Sequence, residues 1–84
     1  MNQQNQTRII RKPEVIQLLG ISKTTLHYRI KDGLLPQPFP LGANSVGWLN
    51  TEIRHIQAVI VSGASTSELK AAVKEIVSQR KEMA

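Results

Sequence analysis

Between Ser22 and Gly33 the chain places Lys23, Thr24, Thr25, His27, Tyr28, Arg29 and Lys31 almost side by side. Cations, hydroxyls and an imidazole at this density suit one kind of chemistry. Ammonium and guanidinium groups hold phosphates, while hydroxyl and ring N–H groups bond to phosphates and base edges. They do not suit bond making and breaking. The chain has no cysteine, and its two histidines, His27 and His55, are far apart with no matching ligand, so zinc spacing fails. No nucleophile–base pair and no glycine-rich phosphate loop is visible. The sequence therefore predicts no enzyme, no metal, no cofactor and no small-molecule substrate.

Such residues can read a duplex only if a rigid element presents them. The segment Leu18-Leu19-Gly20-Ile21-Ser22 reads as a helix end, a tight turn and a helix start. Ser22 is a good N-cap for the second helix, and Gly33 can take the left-handed conformation that closes it. Two helices joined by a short glycine-containing turn form the helix-turn-helix plan, whose second helix enters the DNA major groove. At about 100° per residue, Leu26 and Ile30 face inward. Thr24, Thr25, His27, Tyr28 and Lys31 then face outward, with Lys23 and Arg29 on the flanks. Arg29 has Asp32 and Glu14 as candidate partners.

The first helix takes Pro13 at its first position, where the missing N–H costs nothing. Glu14 follows in the first turn, and Val15, Leu18 and Leu19 are buried. Before it, Arg8-Ile9-Ile10-Arg11 could be a brief strand. Residues 1–7 are polar and uncharged and read as a flexible tail with no apolar leader. After Gly33, Pro36-Gln37-Pro38-Phe39-Pro40 is an extended connector. Leu41 to Trp48 suits a small hairpin, with Asn44 and Ser45 near its tip. Asn50 caps a third helix that buries Ile53, Ile56 and Ile60. Ser65 and Glu68 form a capping box for a fourth, with Leu69, Ala72, Val73, Ile76 and Val77 on one stripe. Trp48 and Phe39 are read as core, because large aromatics dominate thin cores.

The net charge of +5 is unevenly placed. Residues 1–31 hold Arg8, Arg11, Lys12, Lys23, Arg29 and Lys31 against the single carboxylate of Glu14, and the remainder is neutral. The positive excess lies in or before the helix-turn-helix segment, the footprint of a polyanion partner. No apolar run is long enough to span a bilayer. A chain of 84 residues has room for one small domain. The absence of cysteine fits a cytoplasmic location.

Thr25-Leu26-His27-Tyr28 followed by Gly33-Leu34-Leu35-Pro36 is similar to the opening of MerR-type winged-helix DNA-binding domains. More of the chain resembles the AlpA family of small prophage regulators and excisionases. The resembling pieces are Arg8-Ile9-Ile10-Arg11 with Pro13 and Val15-Ile16, then Gly20 to Leu26. Phe39-Pro40, Leu41-Gly42 and Ser45-Val46-Gly47-Trp48, running into Glu52-Ile53, complete them. Together they cover roughly residues 8–61. The resemblance implies a phage or mobile-element regulator of transcription or a recombination directionality factor. The implied partners are double-stranded DNA and either an integrase or another copy of the chain on repeated sites. Family wings commonly carry a cation beside the Phe-Pro pair. Here no basic residue occurs between Lys31 and Arg54, which leaves backbone N–H groups, Asn44 and Ser45 for any wing contact.

The expected architecture is mainly α with a small β-hairpin. A winged helix-turn-helix occupies 8–61 and an extra amphipathic helix 65–82. The expected DNA-contacting set is Arg8, Arg11, Lys12, Ser22, Lys23, Thr24, Thr25, His27, Tyr28, Arg29, Lys31, Asn44 and Ser45. A competing reading is a protein-interaction module that inhibits or recruits a regulatory partner. In it the fourth helix either folds back onto Val59 and Val61 or meets another chain.

Overall fold

The structure, a computed structural model, describes residues 6–83. The elements are β1 (Ile9–Ile10), α1 (Lys12–Leu19), α2 (Lys23–Lys31), β2 (Phe39–Gly42), β3 (Ser45–Leu49), α3 (Asn50–Val61) and α4 (Thr66–Met83). Helices dominate, and a three-stranded antiparallel sheet in the order β1-β3-β2 completes a winged-helix-like arrangement. The expected tail over 1–7 lies outside the described residues through residue 5.

Local chemistry explains most element ends. Gly20 sits at φ 66° and the Ile21 N–H reaches back 3.2 Å to the Ile16 carbonyl, so α1 stops there and the chain turns. α2 ends in the same way: the Leu34 N–H donates to the Arg29 carbonyl at 2.8 Å across a left-handed Gly33. Pro13 is the second residue of α1 rather than the first, because Lys12 already has helical geometry and Arg11 is the cap. At this position the missing N–H again costs nothing. The Ser65–Glu68 capping box forms in both directions: Ser65 N donates to Glu68 Oε1 at 2.8 Å and Glu68 N to Ser65 Oγ at 3.2 Å.

One core draws on every element but β2. Ile10, Val15, Leu26, Leu35, Trp48, Ile53 and Ile56 are buried together, and Leu69, Val73 and Ile76 of α4 join them. The apolar stripe of α4 thus folds back on its own chain. Trp48 is fully buried, and its indole N–H donates to the Pro36 carbonyl at 2.7 Å, which fixes the connector leaving α2 against β3. Phe39 and Pro40 belong to β2, not to the connector, opposite Gly47 and Val46. Edge position tolerates the proline, whose missing N–H breaks no ladder bond there. Gly47 is required by close approach, since a Cβ there would lie 2.9 Å from the Ile10 carbonyl oxygen.

Two further sequence expectations change. Asn50 is not the cap of α3 but its first residue, and it is buried. Its side chain accepts from Arg8 N at 2.9 Å and donates to the Gln6 carbonyl at 3.0 Å, while its own N–H bonds to the Arg8 carbonyl at 2.9 Å. Gln6, expected in the tail, is held by this clamp. Ile60 is 41% exposed, because α3 packs through Ile53, Ile56 and the half-buried Val59. Of the two residues expected beneath α4, Val61 is 81% exposed, and at the far end of the stripe Val77 is also exposed.

α4 is fastened by an ion pair between the half-buried Arg80 and the buried Glu52. Arg80 donates to Glu52 through Nε at 2.7 Å and through a terminal nitrogen at 2.9 Å, and its guanidinium lies 5.1 Å from the centroid of the Phe39 ring. Glu52 also accepts from Leu49 N at 3.1 Å, at the start of α3. Removing one partner of a buried pair strands the other charge. Arg80→Met is therefore expected to lower unfolding stability by about 3 kcal/mol in urea titrations. Arg8→Met, which breaks an exposed pair with Glu14, is expected to leave the urea midpoint nearly unchanged. Equal losses from the two variants would contradict this account.

Candidate nucleic-acid interface

α2 is positioned by one buried residue and one hydroxyl. Leu26 faces the core, and Ser22 caps the helix, its Oγ accepting from Thr25 N at 3.1 Å. The Ser22 hydroxyl also donates to Thr25 Oγ1 at 2.9 Å. Thr25 is half-buried and tied to the cap, so it points less freely outward than its spacing suggests. The amides of Lys23 and Thr24 have no acceptor within the helix, and this end carries the positive pole of the helix dipole.

Three stripes run along α2. Thr24, Tyr28 and Lys31 are exposed and form the outermost one, with Tyr28 55% exposed. Lys23 and His27 form a second, turned toward the start of α1, where they share a cleft with Lys12. His27 meets Tyr28 edge-on, with ring centroids 5.6 Å apart, which joins the first two stripes. Thr25 and Arg29 form the third. Arg29 is half-buried and lines a different cleft with Asp32, Leu34, Val59 and Ile60. Neither Asp32 nor Glu14 forms an ion pair with Arg29 among the described residues, since Glu14 is engaged by Arg8.

The remaining sequence-predicted positions are more scattered. Arg11 and Lys12 are exposed at the start of α1. Arg8 is exposed, but its guanidinium is hydrogen-bonded to Glu14, through one nitrogen at 3.3 Å and a closer contact through the other. That hydrogen bond, with the attraction of the carboxylate, raises the Arg8 pKa above its ordinary value. Part of its charge is thus answered within the chain. Asn44 and Ser45 occupy the hairpin tip, Asn44 in the left-handed region at φ 61°. They lie on β3 and its turn, apart in sequence and element from the α2 stripes. No group of three or more His, Cys, Asp or Glu side chains that could hold a metal occurs among the described residues.

Sequence reasoning missed the residues that brace this surface. Asn50 holds the backbone of Arg8 just before β1, and Glu52 with Arg80 ties α3 to α4. The one available signal was the spacing of Glu52 three residues after Leu49, half of a capping box.

The family model for the prophage CP4-57 regulatory protein, AlpA, matches residues 8–58. The chain belongs to this family. The AlpA match takes in β1 through most of α3 and stops before α4. Among curated proteins, an uncharacterized protein, ORF88 of Enterobacteria phage P4, is 36% identical over 58 residues, 69% of this chain and 66% of that protein. The matched part thus spans just under two thirds of that relative's length. The DNA-binding transcriptional activator AlpA of Escherichia coli strain K12 is 36% identical over 59 residues, 63% of this chain and 84% of that protein. No solved structure matches the chain. No helix among the described residues is long and apolar enough to cross a membrane.

Because Ser22 both caps α2 and holds Thr25, Ser22→Ala is expected to cost about 1 kcal/mol of stability. Thermal unfolding followed by circular dichroism checks this. Ser22→Asp, which restores an acceptor, is expected to recover most of the loss, and failure to do so would remove the cap from the explanation.

Proposed function

We propose that this AlpA-family chain binds double-stranded DNA in a sequence-specific manner and regulates a phage or mobile-element function. The observation that carries the reading is the exposed stripe Thr24, Tyr28 and Lys31 on a capped helix, flanked by Lys23, His27 and Lys12. In the proposed complex α2 lies in the major groove. Thr24 and Tyr28 stand nearest base edges, and Lys31, Lys23, Lys12 and Arg11 meet phosphates. Arg8, Arg29 and Thr25 take a secondary part, since each is engaged or half-buried in the free protein. The hairpin tip contributes only neutral donors, Asn44 and Ser45, so the wing adds little to affinity.

The name of the Escherichia coli relative supports a role in transcriptional activation. A recombination directionality role is the second form of the same reading, one that the AlpA resemblance equally implies. A circular-permutation assay distinguishes them, because bending of DNA across repeated sites belongs to the directionality role.

In vitro selection with the purified chain is expected to enrich one sequence motif. Binding to the selected duplex should weaken steeply with salt, with a log–log slope near −0.9 per phosphate neutralised. Lys23→Ala combined with Tyr28→Ala is expected to reduce specific binding by about tenfold or more. A gel shift without salt dependence, or an undiminished double variant, would overturn the reading.

A further inference from the structure

The cleft between the start of α1 and α2 has an unusual division of chemistry. Its volume is about 160 Å³, several times the ~30 Å³ share of one water. Leu26 and Ile30 form an apolar floor, and Lys12, Lys23 and His27 stand around it. The cations come from two different helices: Lys12 opens α1 and Lys23 opens α2. No carboxylate lines the cleft. Nearby, Glu14 is already bonded to Arg8. Two ammonium groups on the rim of one cleft repel each other, and an anion placed between them offsets that repulsion.

We infer that this cleft is a built site for one deoxyribose-phosphate unit of the bound duplex, with Lys12 and Lys23 holding the same phosphate. The sugar, which is largely apolar, covers Leu26 and Ile30. The phosphate oxygens accept from the two ammonium groups and from an imidazole N–H of His27. A free phosphate or a polyphosphate offers the same charge but nothing to cover the floor, so the occupant is a nucleic-acid backbone. The site fixes the register of α2 in the groove: with one phosphate held beside Lys23 and His27, the Thr24–Tyr28–Lys31 stripe is directed at the adjacent base edges. This inference rests on the duplex-binding reading and adds a specific claim, that two lysines separated by a whole helix serve one phosphate.

Sharing has a measurable signature. Lys12→Gln and Lys23→Gln each remove a cation from an exposed position, so circular dichroism should show both variants folded. Binding of the selected duplex is followed by fluorescence anisotropy across a salt series. Each single variant is expected to weaken binding similarly for specific and random duplexes. Each should leave the log–log salt slope nearly unchanged, because the remaining lysine still neutralises the shared phosphate. The double variant is expected to flatten it by about 0.9, because one phosphate is then lost. Inorganic phosphate at matched ionic strength should not compete.

If the double variant flattens the slope by about 1.8, the lysines serve separate phosphates and the shared site is wrong, while duplex binding by α2 stands. If each single variant flattens the slope by about 0.9, or the double variant leaves it unchanged, the site is equally wrong. If the unmodified chain binds no duplex, the parent reading fails and the site with it.

Discussion

Trp48 holds the two halves of the molecule to each other. Its ring is completely buried and its indole N–H is satisfied by the Pro36 carbonyl at 2.7 Å. The chain has only three aromatic residues, and Tyr28 is exposed while Phe39 is half-buried. A core this thin has no second large ring to fall back on. From β3, Trp48 pairs with Ile10 of β1 and fixes the segment that leaves α2. The placement of α2 against the sheet therefore depends on one buried side chain outside that helix.

The second constraint is the Glu52 carboxylate. It is buried and accepts three hydrogen bonds, one from Leu49 N and two from Arg80. An unanswered charge at this depth would be costly, and Arg80 supplies the answer from beyond the residues that match the AlpA family. The same guanidinium lies over Phe39 at the base of the hairpin. α4 is thus not appended to a finished domain. It completes the core with Leu69, Val73 and Ile76 and braces the sheet from behind.

What could be read in the sequence was whatever depends on near neighbours. Gly20, Ser22, Gly33 and the Ser65–Glu68 box announce helix ends through chemistry spanning a few residues, and all four behave accordingly. The inward positions Val15, Leu26, Ile53 and Ile56 follow from helical spacing. Ile60 does not: Val59 packs against the core in its place and Ile60 is exposed. Asn50 looked like a cap because caps are local; its actual partners, Gln6 and Arg8, are more than forty residues away in the chain. The exposed stripe of α2 was legible, yet the cleft that Lys12 and Lys23 both line was not. It depends on how α1 and α2 cross, which spacing along either helix does not encode.

The antiparallel register of β1 against β3, Ile9 opposite Leu49 and Ile10 opposite Trp48, has a consequence in time. During synthesis the basic segment, α1 and α2 are made first. Neither helix has a floor to settle on until Trp48, Ile53 and Ile56 have followed, and Glu52 waits for Arg80. Chains usually consolidate from the N-terminal side as domains emerge, but here the earliest residues must wait for the latest. The nascent chain passes most of its synthesis with most of its basic residues present and the fold that arranges them absent. The segment that carries the charge excess gains its geometry only once the neutral half has been made.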